Sequence, residues 1–376
     1  MADNLFVPTQ TAQGSNDLDL LAVRLRDENS AAFGVKHIGN KMRTSSVPYL
    51  YDIAEGNVPD HEVLRVIGYN EDVDAAIEML WHAGGAYVFP TGEMGMEVVS
   101  SEAQDAAVVI RTGETSDSIT QVDSVDNIVT ITLTDASEDF TAATTVVAGD
   151  GLILDGDNIN GNILTVAETV LTARVYNTEE ITSVQDYRVV DASASGTGAR
   201  IVSIHYLDSD YAEHEEMVVL NGTTPVATTA TDIFRVNAFH TEGAGSTQYT
   251  AGDVTLRHLS DTPIYASIPA LRNNRADCIY TVPTGKTAYI TGWKVSSGFS
   301  TANRLVRSWL EATSDEHANY TGLRWHTKDA DLTQDGRAPN SFLVPIKIPA
   351  RASMRIIVSC PETNAVVVGD IEGWLE

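Results

Sequence analysis

Two carboxylate-rich turns are the first places in this sequence where chemistry could occur, since carboxylate oxygens are the ligands that calcium prefers in proteins. The first is Asp155-Gly-Asp-Asn-Ile-Asn-Gly161, which superficially resembles a calcium loop. Such a loop needs a liganding side chain at its fifth position and a Glu at its twelfth, where this chain has Ile159 and Val166. The sequence therefore predicts an ordinary β-turn, and Asp155 and Asp157 are its candidate metal ligands.

The second acidic turn joins two runs in which apolar and polar residues alternate, Ile201–Tyr206 and Glu216–Leu220. That alternation predicts a β-hairpin with one face in water. Asp208 and Asp210 lie at its tip and are the second pair of candidate metal ligands. We interpret the tip as a solvated acidic turn, and we expect no bound metal and no cofactor.

Neither nucleotide binding nor catalysis has a clear sequence signal. Thr284-Gly-Lys-Thr287 resembles the end of a phosphate-binding loop, but the required upstream Gly is replaced by Tyr280 and the segment lies between two predicted strands. The 9 histidines and the many carboxylates are scattered through turns, so no acid–base pair or nucleophile can be preferred. The chain is expected not to be an enzyme.

Trp325 and His326 are the candidate residues for a contact with another molecule. They lie in a polar segment that we interpret as a loop. An exposed Trp in such a loop can stack on a sugar ring, whereas burial in an intersubunit contact is the alternative that we favour.

The net charge of −28 is unevenly distributed along the 376 residues. Residues 101–260 carry 25 acidic side chains, 6 Arg and no Lys, whereas residues 261–376 carry 12 acidic and 12 basic side chains. A chain this acidic is repelled by nucleic acid and by anionic membranes, so neither is an expected partner. No run of about 18 apolar residues exists to insert into a membrane. The change in the balance of acidic and basic side chains near residue 260 favours a domain boundary there.

The coarse pattern predicts a mostly β protein of several antiparallel β-sandwich or jelly-roll domains, with one or two short helices near the N-terminus. The best helix candidate is 71–81, in which four apolar residues share one face: Val73, Ile77, Leu80 and Trp81. Short Thr/Val/Ile strands follow over 107–190, and six or more strands over 265–376 predict a C-terminal jelly-roll-like domain. The polar residues 1–60 are interpreted as an arm or attachment segment.

Three stretches resemble a family of tailed-bacteriophage virion structural proteins. Trp81-His-Ala-Gly-Gly-Ala-Tyr-Val-Phe-Pro-Thr91 is similar to the family's W..GG.Y.FPT signature, and residues 196–226 to its GTGAR…LD.DY.E..E.V.LNG.T hairpin. Thr281-Val-Pro-Thr-Gly-Lys-Thr-Ala-Tyr-Ile-Thr-Gly-Trp293 carries the third similarity. In the family, the segments that correspond to residues near 100 and 194 are almost adjacent. The resemblance therefore implies that 107–190 is an inserted β domain, and that 61–106 and 191–264 form one core domain around it.

The resemblance also implies a function. We expect a non-enzymatic component of the phage particle, which is assembled in the host cytoplasm and resides in the virion. We expect it to bind other virion proteins and to bind copies of itself, as a trimer or another cyclic homo-oligomer. Two alternatives stay open: a receptor-binding protein whose C-terminal sandwich binds host surface glycan, and a particle-bound glycan depolymerase. The signatures do not distinguish head decoration, head fibre and tail positions.

Overall fold

The computed structural model describes the chain from residue 35 to residue 376, with gaps. The described residues are 35–38, 41–44, 53–54, 58–116, 119–122, 128–137, 139–141, 146–156, 159–176, 184–298, 305–313, 325–334, 336–361 and 365–376. Most of them lie in β-strands, and every strand pair is antiparallel, so the predicted fold class is confirmed.

The first twelve strands run from residue 35 to residue 191. They are β1 (Val35–Ile38), β2 (Lys41–Thr44), β3 (Glu62–Val73), β4 (Glu78–Met79), β5 (Met96–Ser100), β6 (Val108–Glu114), β7 (Thr120–Val122), β8 (Ile128–Thr134), β9 (Gly151–Leu154), β10 (Ile159–Val166), β11 (Val170–Tyr176) and β12 (Asp186–Asp191).

Thirteen further strands are described after residue 198. They are β13 (Ala199–Leu207), β14 (Glu213–Val219), β15 (Val226–Ala227), β16 (Arg235–Ala244), β17 (Val254–His258), β18 (Ile264–Ile268), β19 (Ile279–Thr281), β20 (Ala288–Gly298), β21 (Leu305–Thr313), β22 (Trp325–Gln334), β23 (Gly336–Ile348), β24 (Ser353–Ser359) and β25 (Ala365–Leu375).

Two sheets pack face to face to form a C-terminal sandwich. One has the order β23-β20-β25-β3; the other has the order β19-β24-β21-β22, with β4 added beside β24. In β25 every second side chain is buried, which is the period-two pattern of a strand with one face on a core. Trp293, Leu310 and Ile371 are among the side chains that fill the space between the sheets. β3 was predicted to belong to the core domain with 191–264, but it lies here, beside β25.

A middle sandwich is formed by the sheets β14-β13-β16 and β15-β5-β17-β18. Its core contains Met96, Ile204, Phe239 and Leu256. β13 and β14 form the predicted hairpin, with Ile201 opposite Val219 and Leu207 opposite Glu213. The hairpin prediction is confirmed.

The third unit is a seven-stranded sheet with the order β6-β12-β9-β10-β11-β8-β7, and all of its strands lie between residues 108 and 191. It has a core of its own, which includes Phe140, Leu152 and Tyr187. It contacts the middle sandwich through a small apolar cluster in which Ile153 meets Ile201. The division into an inserted domain and its hosts stays a prediction, although this sheet occupies the range assigned to the insertion.

The helix predicted over 71–81 is wrong. β3 continues to Val73, a bend follows, and β4 begins at Glu78. Ile77, which was placed on the apolar face of the helix, is 66% exposed. The carboxylate of Glu78 accepts the backbone N–H of Asp74 at 3.1 Å, which stabilises the bend instead of a helical turn. Of the described residues, 53 and 54 are helical, and residues 1–34 of the predicted arm lie outside the description.

Candidate functional site

The first signature, 81–91, forms a tight turn and then an extended segment between the two sandwiches. Gly84 and Gly85 have φ angles of 69° and 70°, in the left-handed region that glycine adopts without a steric penalty. The Nε1–H of Trp81 donates to the carbonyl of Gly85 at 3.1 Å, and the Glu78 carboxylate accepts the N–H of Gly85 at 2.8 Å. The signature's Trp and glycines therefore build the turn.

The signature's aromatic side chains continue as a row. Trp81 meets Tyr87 edge-on with 5.2 Å between ring centroids, Tyr87 meets Phe89 edge-on at 4.9 Å, and Phe89 lies 5.9 Å from Trp325. Arg355 ends the row, with its guanidinium carbon 3.9 Å from the Trp325 ring centroid. These contacts join the extended segment to β22 and β24 of the C-terminal sandwich.

Trp325 and His326 lie in β22, so their prediction as a loop is wrong. The sequence around them lacks the apolar alternation that marked the other strands, because the side chains from His326 to Leu332 are mostly polar and are exposed or half-buried. Trp325 is half-buried and His326 is exposed. Since Arg355 lies over the Trp325 ring, that face is not free to stack on a sugar. Their role as a glycan or interface contact stays a prediction.

The second signature is held by one buried carboxylate, that of Asp105. It accepts hydrogen bonds from the backbone N–H of Ala199 and of Ala251 at 2.7 Å each. A Cβ added to Gly198 would lie 2.1 Å from Oδ1 of Asp105, and one added to Gly196 would lie 2.1 Å from a backbone carbonyl oxygen. The two glycines of the GTGAR run are therefore fixed by close packing of a loop.

The third signature turns between β19 and β20 and links the sandwiches. Gly285 has a φ of 76°, and Lys286 pairs with Glu62 at 2.8 Å and with Glu213 at 2.7 Å. Burial alone would lower the pKa of Lys286, but its hydrogen bonds to the two carboxylates raise it. Because its ammonium group is paired with these two carboxylates, Lys286 is not available to bind a phosphate. Further along, Trp293 is buried and donates its Nε1–H to Asp329 at 3.0 Å.

The acidic turns are bound by the protein's own groups. Both carboxylate oxygens of Asp155 accept hydrogen bonds from the Arg188 guanidinium, and Asp157 lies outside the described residues. Asp208 accepts the backbone N–H groups of Asp210 and Ala212 and contacts His214 at 3.0 Å. Burial acts to raise the pKa of Asp208, but these hydrogen bonds keep it below its usual value.

In the part of the chain that the structure describes, no three His, Cys, Asp or Glu side chains gather as they would to hold a metal. Asp210 is exposed at the hairpin tip. That these four aspartates bind no metal ion stays a prediction.

Sequence reasoning missed a pair of stacked histidines on the sheet β14-β13-β16. His205 and His240 stack with their ring centroids 5.0 Å apart, and Glu215 lies 3.6 Å from His205. Burial is the main cause that lowers the pKa of His205, with Glu215 opposing it. Ser203 lies opposite His240 and His205 lies opposite Ala238 in the strand register. No local sequence motif predicts this histidine pair, because the two side chains meet only when β13 and β16 pair in the sheet.

A groove lies beside β3, between the two sandwiches, and has a volume of about 760 Å³. One wall is the edge of β3; the other is β16 together with the loop 271–276. We call this space the β3 groove. Its apolar side chains include Val63 and Ile67, which are 52% and 45% exposed. Arg65 and Arg272 also line it.

Comparison with known proteins finds no matching family model, curated sequence or solved structure. Within the described residues, no helix has the length and apolar character needed to cross a membrane. The functional assignment therefore depends on the signatures and on what their residues do in this fold.

Proposed function

We propose that the protein is a non-enzymatic structural component of a bacteriophage particle, which acts by self-assembly and by docking to other virion proteins. The observation that carries the proposal is the structural role of the three signatures. Each one builds a turn, a packed loop or a junction between β units, and these are the parts of an all-β scaffold that a family of particle proteins would share.

Two basic side chains hold signature segments through contacts within the chain. Lys286 joins β3 to β14 through Glu62 and Glu213, and Arg235 donates to the carbonyl of Pro90 at 3.0 Å. Such contacts within the chain make the fold rigid. Rigid, acidic, β-rich bodies suit repeated packing in a particle, where identical surfaces meet under symmetry.

The receptor-binding alternative depends on an aromatic side chain that can stack on a sugar. The Trp325 ring has Arg355 over one face and Phe89 beside it, so this side chain supports the assembly proposal better than glycan binding. We infer that Trp325 stabilises the junction within the chain.

The test is the solution mass of the full chain together with its activity on glycans. Light scattering should give a multiple of the 40.5 kDa chain mass, and incubation with host surface polysaccharide should release no reducing ends. A species of one chain only, or cleavage of the polysaccharide by the purified chain, would contradict the proposal.

A further inference from the structure

We propose that copies of this chain bind one another head to tail, with a bulge of β23 from one copy inserted into the β3 groove of the next copy. The inference rests on the self-assembly in the proposed function, and it names the two surfaces that meet. It is argued from the register of β23, from the exposure of apolar side chains and from the charges around them.

The first observation is an irregularity in the edge strand β23. Ile346 of β23 pairs with Ile290 of β20. The next regular pair is Ser341 with Gly292, so the four residues 342–345 lie opposite a single residue of β20. Extra residues of this kind form a bulge that leaves the plane of the sheet. We call residues 342–345 the β23 bulge.

The β23 bulge is apolar and faces solvent. Phe342 is half-buried and packs against the C-terminal core, which anchors the bulge at one end. Pro345 restricts the backbone at the other end. Between them, Leu343 is fully exposed and Val344 is 78% exposed. The bulge therefore holds two apolar side chains outside the protein surface.

The second observation is the apolar lining of the β3 groove. Leu271 is 72% exposed, and its φ of 60° lies in the left-handed region that leucine rarely adopts. Its N–H donates to the carbonyl of Thr250 at 3.0 Å, which fixes this conformation. Four other exposed apolar side chains line the same groove: Val63, Ile67, Tyr249 and Val368.

The bulge and the groove stand out from the rest of the described surface. Among the described residues, the three most exposed large apolar side chains are Leu343, Val344 and Leu271. Exposed apolar surface that is contiguous marks a site of interaction. The groove volume of about 760 Å³ falls within the range of about 300–1,000 Å³ for pockets that enclose a bound group.

The bulge cannot fill the groove of its own chain, because the two lie at opposite edges of one sheet. The strand order is β23-β20-β25-β3, so the edge strands are about 14 Å apart at about 4.8 Å for each step. The occupant of the groove must then come from a second copy. A contact between two different surfaces of identical copies closes into a ring when the rotation between copies permits it.

The strand directions suit such a ring. All three pairs in this sheet are antiparallel, so β23 and β3 run in opposite directions. A neighbouring copy that is rotated about an axis parallel to the strands therefore brings its β23 antiparallel to β3. A stable interface buries about 800 Å² on each partner, so the strand edges beside the bulge and the groove must also take part.

The charges favour contact at this place. Residues 261–376 carry 12 acidic and 12 basic side chains, so two copies repel each other less here than through the acidic residues 101–260. Residues 341–346 hold no ionisable side chain. In the groove, Arg65 and Arg272 are exposed, and they can remain in water at the rim of the contact.

The test compares the solution mass of the full chain with that of single variants. Leu343→Asp changes the bulge and Leu271→Asp changes the groove, and light scattering should show that each reduces the oligomer to the 40.5 kDa chain. Leu259→Asp is the matched control, because Leu259 is 52% exposed and lies outside both surfaces, so this variant should keep the wild-type mass. Circular dichroism confirms that each variant is folded, and Val344→Asp replaces any bulge variant that is not.

Mixing the two variants tests whether the contact is head to tail. The Leu271→Asp chain keeps its bulge and the Leu343→Asp chain keeps its groove, so an equal mixture should form a dimer and no larger species. A mixture that stays monomeric would overturn the inference. If both variants keep the wild-type oligomer mass, this inference fails while self-assembly stands. A wild-type chain that is only monomeric contradicts both.

Disulfide formation gives a second measurement that introduces no charge. Leu343→Cys and Leu271→Cys chains are mixed and oxidised mildly, and a mixture of Leu343→Cys and Leu259→Cys chains is the control. The native thiols are fully buried and should stay unreacted. The bulge–groove pair should form its mixed dimer at least about tenfold faster than the control pair, because assembly raises the local thiol concentration. Equal rates would overturn the inference.

Discussion

Replacing Asp105 by Ala should destabilise the junction of the second signature by at least about 3 kcal/mol. The carboxylate is fully buried and accepts four hydrogen bonds. The donors are the hydroxyl of Ser100 at 2.7 Å and the backbone N–H groups of Ala199, Ala251 and Gly252 at 2.7, 2.7 and 2.9 Å. Truncation leaves the buried N–H groups of Ala199 and Gly252 and the half-buried N–H of Ala251 without an acceptor, and each fully buried group costs about 1–3 kcal/mol.

The assay is urea unfolding of the full chain followed by far-UV circular dichroism, with hydrogen exchange to locate the loss. Protection should fall first at the amides of Ala199, Ala251 and Gly252. Asp210→Ala is the control, because Asp210 is exposed, and its effect should stay within about 0.5 kcal/mol. A loss below about 1 kcal/mol for Asp105→Ala, or an equal loss for Asp210→Ala, would refute the reasoning.

Three further outcomes are expected. The folded state lowers the pKa of His205, so the stability that His205 contributes should be complete above its unfolded pKa of about 6.5 and fall as the pH drops through that value. The unfolding free-energy difference between wild type and His205→Gln, measured from pH 8 to pH 5, should change in that direction; a flat difference would contradict it. Trp293→Ala should cost about 3–5 kcal/mol in urea unfolding, because the ring is fully buried in the C-terminal sandwich; a cost under about 1 kcal/mol would show that this core is loosely packed. Millimolar calcium should raise the melting temperature no more than sodium chloride of equal ionic strength, and a calcium-specific rise lost in Asp208→Asn would establish a metal site at the hairpin.

Where the sequence pattern is local and regular, it predicted the fold well. Six or more strands were predicted over 265–376. In β25 the period of two survives along the whole strand, because one face lies on the C-terminal core, and in β20 it shifts once, at the irregularity between Ile290 and Gly292. The β13–β14 hairpin was equally clear, since a short acidic turn joins two alternating runs.

Features that depend on distant contacts were not predictable. The apolar residues of 71–81 have the spacing of one face of a helix. In the structure, however, Leu80 packs into the C-terminal core, whereas Trp81 packs into the separate cluster of Met79 and Ile279. The assignment of β3 to its sheet depends on β25, which is almost 300 residues later in the chain.

The candidate site shows the same division. The signatures located the turns at Gly84 and Gly198, whose glycines can be explained from backbone angle and close packing. The stacked pair of His205 and His240 and the open edge of β3 have no signal in the sequence, because each exists only after strands from different parts of the chain have come together.

The measurement that tests the central claim most directly is a reconstruction of the intact phage particle to which we propose that this chain belongs. We predict symmetric, repeated density into which the two sandwiches and the seven-stranded sheet fit as connected units, in contact with other virion proteins. Absence of the chain from purified particles, shown by mass spectrometry and by a lack of matching density, would contradict the proposal that it is a structural component of the virion.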